Sequence, residues 1–100
     1  MVQINWTDRA VLDLKEIADY ISRDSKKYAK IQIQRIKQRT QILKKNPFSG
    51  QLLDFFNHPQ VRQLTEGNYL VIYCVKSETR IDIVSVHHAS RSLEKRKLDV

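Results

Sequence analysis

One hundred residues, with 41% apolar and 29% charged side chains, are expected to form a single small globular domain spanning 1–100. Two Gly and two Pro exclude collagen-like, linker-rich and low-complexity designs, and a lone cysteine, Cys74, excludes a disulfide framework or a Cys-rich zinc site. The net charge of +7 is concentrated in residues 26–50, where Lys26, Lys27, Lys30, Arg35, Lys37, Arg39, Lys44 and Lys45 meet no acid, so that segment favours an anionic neighbour.

The first element in chain order is a short strand, Val2–Trp6, since Val, Ile and Trp suit a half-buried pleated surface. Thr7 or Asn5 can cap the next element, a helix, and Asp8 suits its positive end. Ala10, Leu14, Ile17, Ala18 and Ile21 then recur at three- and four-residue steps, with Asp13, Glu16, Asp19 and Arg23 elsewhere. That pattern predicts an amphipathic helix ending near Arg23. Asp24 or Ser25 caps a second helix, whose inner face is Ala29, Ile33, Ile36, Thr40 and Leu43. Ile31 and Ile42 lie off that stripe and widen the apolar surface. Asn46-Pro47 stops the helix, because proline cannot donate to it and disfavours helix at the residue before.

Residues 46–60 form an irregular stretch whose aromatics are expected to pin it to the core. Val61–Thr65 leads through Glu66-Gly67-Asn68, a turn rich in residues that tolerate positive φ, into Tyr69–Val75. After a polar turn comes Arg80–His88, whose apolar residues Ile81, Ile83, Val84 and Val86 switch face midway, as in a central strand buried on both sides for part of its length. Ser90 or Ser92 can cap a final short helix ending at Leu98. The predicted class is α+β: a helical hairpin packed on a small twisted antiparallel sheet, the first strand pairing back onto the C-terminal meander.

No Gly-rich phosphate loop or dinucleotide fingerprint is present, and no cofactor is expected. His87 and His88 are adjacent in a strand and point to opposite faces, so they cannot grip one ion without a bulge, and no metal site is expected. Cys74, among Ile72, Tyr73 and Val75, reads as core filler. The longest uninterrupted apolar run, Tyr69–Val75, is seven residues, far short of the ~20 that a membrane-spanning helix needs. The N-terminal residues lack the basic and apolar regions of a signal peptide. A cytoplasmic location without a membrane partner is the expectation.

The cluster with chemical potential is His87-His88-Ala89-Ser90-Arg91, with Tyr73 and Arg62 as expected neighbours. A histidine, two arginines and a tyrosine around a groove could cleave RNA without metal: a base deprotonates the ribose 2′-hydroxyl, arginine holds the developing phosphate charge, and an acid protonates the leaving oxygen. The competing reading is structural: one histidine packs under the helices and Arg91 pairs with a carboxylate.

Taken in order, Trp6, Ala10-x3-Leu14-x2-Ile17-x2-Tyr20-Ile21, Asn46-Pro47-x2-Gly50, Val61-Arg62-x-Leu64-x2-Gly67-x-Tyr69-x3-Tyr73-x-Val75 and Ile83-x2-Val86-x-His88-x2-Arg91 resemble the RelE/ParE superfamily of bacterial toxins, over nearly the whole chain. The resemblance implies the same helical hairpin on a sheet, and two activities share that fold. RelE-type members cleave mRNA in the ribosomal A site, whereas ParE-type members poison DNA gyrase. The first-helix pattern and the histidine-containing segment before Arg91 resemble the ParE side. Where a RelE-type nuclease has an arginine this chain has Leu70, and where it has a tyrosine this chain has Lys97. The chain ends Lys95-Arg96-Lys97-Leu98-Asp99-Val100 rather than in a His-Tyr pair, so only Arg91 carries over.

The expected function is therefore that of the toxin of a type II toxin–antitoxin pair, inhibiting gyrase by binding. The alternatives are a ribosome-dependent mRNA endonuclease using Arg91, His87 or His88, and Arg62, or a degenerate toxin that only binds antitoxin as a co-repressor. The resemblance further implies a cognate antitoxin in a hetero-oligomer. Lys30, Ile31, Lys37, Arg39 and Ile42 are the candidate antitoxin- or nucleic-acid-binding surface.

Overall fold

The computed structural model describes residues 2–53 and 60–90. In chain order these form β1 (Gln3–Trp6), α1 (Asp8–Ser22), α2 (Lys26–Arg39), a 3-10 turn (Thr40–Lys44), β2 (Gln51–Leu52), β3 (Val61–Glu66), β4 (Tyr69–Val75) and β5 (Arg80–His88). The predicted α+β class is the one observed. The final helix predicted from Ser90 or Ser92 lies outside the described residues beyond its first position, as do Phe55, Phe56 and His58.

Local chemistry explains most of the boundaries. Thr7 caps α1, its hydroxyl accepting from the Ala10 amide at 3.2 Å, and Ser25 caps α2 by accepting from Tyr28 at 3.0 Å. The α-helical geometry of α2 gives way to the tighter 3-10 turn at Thr40, seven residues before Pro47. There the Thr40 hydroxyl donates to the Lys37 carbonyl at 2.7 Å. Gly67 takes the positive φ of 58° that the β3–β4 turn requires.

The sheet order is β1-β5-β4-β3-β2. Neighbours pair antiparallel except β1, which runs parallel to β5 with Ile4 opposite Ile81 and Trp6 opposite Ile83. This refines the predicted all-antiparallel sheet, and the cause is the position of α1. Beyond Trp6, Thr7 bonds through both its amide and its hydroxyl to the Ile83 carbonyl, so α1 starts where β1 stops and lies over the rest of β5. That placement requires β1 to end beside Ile83. Two-residue β2, paired with β3, has no periodic signal in the sequence.

Both sheet faces are buried. Toward the helices pack Ala10, Leu14, Ile36, Leu43, Leu64, Val71, Tyr73, Ile81, Ile83 and Val86. On the opposite face lie Leu53, Val61, Ile72, Cys74 and Val84. Each large aliphatic side chain so buried contributes about 1.5–3 kcal/mol relative to exposure. The face switch in β5 is a β-bulge: Ile72 pairs with Ser85 while Tyr73 pairs with Ile83, leaving Val84 as the extra residue.

Candidate functional site

The histidine pair is separated by the pleat, as expected. His87 is opposite Leu70, on the face away from the helices, where it is buried and lies 3.4 Å from the Ser85 hydroxyl. His88 is opposite Tyr69 and exposed on the helix side, its ring edge-on to that tyrosine at 5.5 Å. The His88 Nδ1 accepts from the Ser90 amide at 3.1 Å and lies 2.8 Å from the Ser90 hydroxyl. The Nδ1 lone pair is thus already engaged. His88 opens onto a groove of about 610 Å³ that also holds Glu16, Asp19, Tyr20, Arg23 and Tyr69. Burial, then the neighbouring Tyr28 and Tyr20, hold the Tyr69 phenol above its ordinary range.

Neither of the partners expected around this histidine is there. Tyr73 pairs with Ile83 rather than with the end of β5, and it is fully buried. Arg62 is opposite Tyr73 on β3, two strands across from β5 and four residues along from Tyr69, which puts it roughly 16 Å from His88. Arg91 lies outside the described residues.

Arg62 and Tyr73 instead hold the Asn46–Gly50 segment. The Arg62 guanidinium donates to the carbonyls of Gly50 at 2.8 Å and Phe48 at 3.2 Å and stacks over the Phe48 ring at 5.1 Å. Phe48 itself is exposed, so here the guanidinium anchors the connection and the aromatic ring does not enter the core, contrary to expectation. The Tyr73 hydroxyl accepts from the Gly50 amide at 2.9 Å. Burial pushes the Tyr73 phenol up, outweighing the Gly50 amide and the more distant Arg62 and Arg39, which favour the phenolate.

This gives a signed expectation. The unfolded chain ionises Tyr73 near pH 10 while the folded chain keeps it neutral, so its contribution is complete below about pH 10 and is lost as pH rises further. Tyr73→Phe removes the acceptor for the buried Gly50 amide and should cost about 1–2 kcal/mol near neutrality. It should also flatten the alkaline loss. Urea midpoints measured at neutral pH and above the tyrosine range test both parts.

The second candidate surface is α2. Lys30 and Lys37 are exposed, Ile31 is half-buried and Ile42 is exposed within the 3-10 turn. The tighter winding there takes Ile42 out of the eleven-residue alignment with Ile31 that continuous α-helix would give. Arg39 is partly committed, its Nε donating to the Thr65 carbonyl of β3 at 3.1 Å. Lys37 borders an apolar groove of about 500 Å³ between the helices, floored by Leu14, Ala18 and Ile33 and flanked by Trp6 and Val11.

Sequence reasoning missed Asp13, which was assigned to the polar side of α1. It is buried, and its Oδ2 accepts from the Val86 amide at 2.9 Å, with the Arg9 guanidinium 3.5 Å from Oδ1. The signal was present in the spacing: Asp13 is three residues after Ala10 and four before Ile17, on the buried face. Cys74 is buried, and burial raises its thiol pKa, consistent with filler.

Among the described residues no His/Cys/Asp/Glu group could hold a metal ion, and no helix is long and apolar enough to cross a membrane. Residues 4–93 match the family model described as ParE toxin of type II toxin-antitoxin system, parDE. Among solved structures the chain is similar to one described as the chromosomal ParDE TA system from P. aeruginosa. The TM-score is 0.75 at 25% identity, over 90% of this chain and 98% of that one. No curated protein sequence matches.

Proposed function

Since the chain belongs to the ParE toxin family of type II toxin–antitoxin systems, we propose that it arrests growth by binding DNA gyrase and that a cognate antitoxin restrains it. The observation that carries the binding reading over a cleaving one is the commitment of the nuclease candidates elsewhere. Arg62 is spent on the Phe48 and Gly50 carbonyls, and Tyr73 is buried against Gly50. His87 faces away from the helices, and the Nδ1 lone pair of His88 is taken by Ser90. Metal-free phosphodiester cleavage needs a base, an acid and a cation converging on one phosphate within hydrogen-bond reach. A gyrase poison needs only a stable surface.

The apolar groove between α1 and α2 suits the antitoxin. A segment that folds on binding must bury apolar area to offset its ordering cost, and this groove offers Leu14, Ala18 and Ile33 with Lys15 and Lys37 at its rim for acidic side chains. The similarity to a protein of a ParDE toxin–antitoxin system supports such a partner.

The test is to pulse-label DNA and protein synthesis minutes after induction without antitoxin, and to assay purified protein on gyrase supercoiling and DNA cleavage. DNA synthesis should fall first and gyrase-cleaved DNA should accumulate. Gyrase unaffected in both assays would end the proposal. Protein synthesis falling first, with cuts mapping to translated codons, would restore the endonuclease reading.

A further inference from the structure

We infer that the solvent face of α2 is a phosphate-contacting surface for duplex DNA, adjoining the apolar groove on its α1 flank at Lys37. The choice of DNA rests on the gyrase reading, because the gyrase complex holds a duplex; the polyanion specificity rests on the helix itself.

Lys26, Lys30 and Lys37 succeed one another at four- and seven-residue steps, and Lys27 stands beside them, all exposed. Such spacing stacks side chains in one lane. Lys26 to Lys37 spans roughly 17 Å at 1.5 Å per residue, the axial length occupied by about five phosphates of one DNA strand. None of the four meets a carboxylate among the described residues, whose ion pairs are Arg9–Asp13 and Arg80–Asp82. The nearest acid before the helix is Asp24, and none occurs after it until residue 54.

The residues between the lysines decide the occupant. Gln34 between Lys30 and Lys37, and Gln38 just past them, are exposed and supply amide donors, and the apolar area beside them is only that of half-buried Ile31 and the Tyr28 ring. A disordered acidic peptide laid here would pay its ordering entropy with little burial in return. A duplex is already ordered, and phosphate contacts draw their affinity from released counterions without apolar burial.

The test uses the full chain and a fluorescein-labelled DNA duplex of about 20 base pairs, monitored by anisotropy across a salt series. Lys27→Gln/Lys30→Gln is compared with Lys76→Glu, which removes the same two units of charge at the β4–β5 turn. The α2 pair should weaken duplex binding about tenfold near 0.1 M salt and reduce the magnitude of the log–log salt slope by about two. The control should stay within about twofold, since Lys76 follows the end of β4 opposite Tyr69, roughly 20 Å along the strand and beyond a Debye length of the contact.

Equal loss in both variants, or no wild-type binding at low salt, would overturn the inference. So would a poly-glutamate peptide that competes as well as unlabelled duplex, or tighter binding to single-stranded RNA of the same length. No gyrase is present in this assay, so the two readings fail separately. A protein that binds duplex but leaves gyrase alone loses only the gyrase reading. One that poisons gyrase and ignores duplex loses only this inference.

Discussion

Gly50→Ala will destabilise the folded chain by about 3 kcal/mol, at the upper end of what an overpacked site usually costs. A Cβ at this position would sit 2.6 Å from the Gln63 carbonyl oxygen and 2.6 Å from the Tyr73 hydroxyl, with the Tyr73 ring carbon at 2.7 Å. None of these neighbours is free to retreat. The Gln63 carbonyl belongs to the backbone of β3, and Tyr73 is fully buried and bonded to the Gly50 amide. The whole Asn46–Gly50 segment must then lift, breaking the Arg62 contacts to the Phe48 and Gly50 carbonyls. A domain of this size has roughly 5–15 kcal/mol in total, and each kcal/mol moves the midpoint by about 4–8 °C. Thermal melts should therefore show a fall of at least about 12 °C; a fall of under ~4 °C would mean that the segment yields without disturbing Tyr73.

Asp13→Leu is expected to cost about 3 kcal/mol, through a buried polar group left without its acceptor. Beyond Ile83, β5 no longer has β1 alongside it, so the Val86 amide turns to the α1 carboxylate at 2.9 Å. Leucine matches the shape and not the chemistry, stranding that amide and removing the partner of Arg9. Asp13→Asn keeps an acceptor oxygen and should lose only about 1 kcal/mol, the difference between a charged and a neutral acceptor. Urea midpoints of the two variants give the comparison. Equal losses would show that charge, and not the hydrogen bond, is what the site needs.

Features set by neighbouring residues were legible in the sequence. Thr7 and Ser25 cap their helices, Gly67 makes its turn, and β3, β4 and β5 begin within a residue of the positions that their patterns predict. Features set by distant partners were not. The parallel pairing of β1 depends on where α1 must lie, and the burial of Asp13 on an amide 73 residues away. The same holds for the candidate site. The His87/His88 alternation came from strand geometry alone, but their neighbours depended on the β4–β5 register and its bulge at Val84. One residue of slip in that ladder changes every cross-strand neighbour, and no local pattern reports it. Arg62 carried a motif whose partner segment is a loop, so its role as an anchor was invisible until the loop was in place.

The parallel pairing of β1 with β5 also governs when this protein can exist during its own synthesis. The strand made first needs residues 80–83 to complete the sheet, 77 positions further along the chain. Loop closure over such a separation comes late and slowly. The toxin therefore cannot mature on the ribosome from its N-terminus outward. Its β1 edge stays open until residues 80–83 have been made. A partner that captured the chain during synthesis would meet it before this edge is in place, so the order of the strands sets capture against closure.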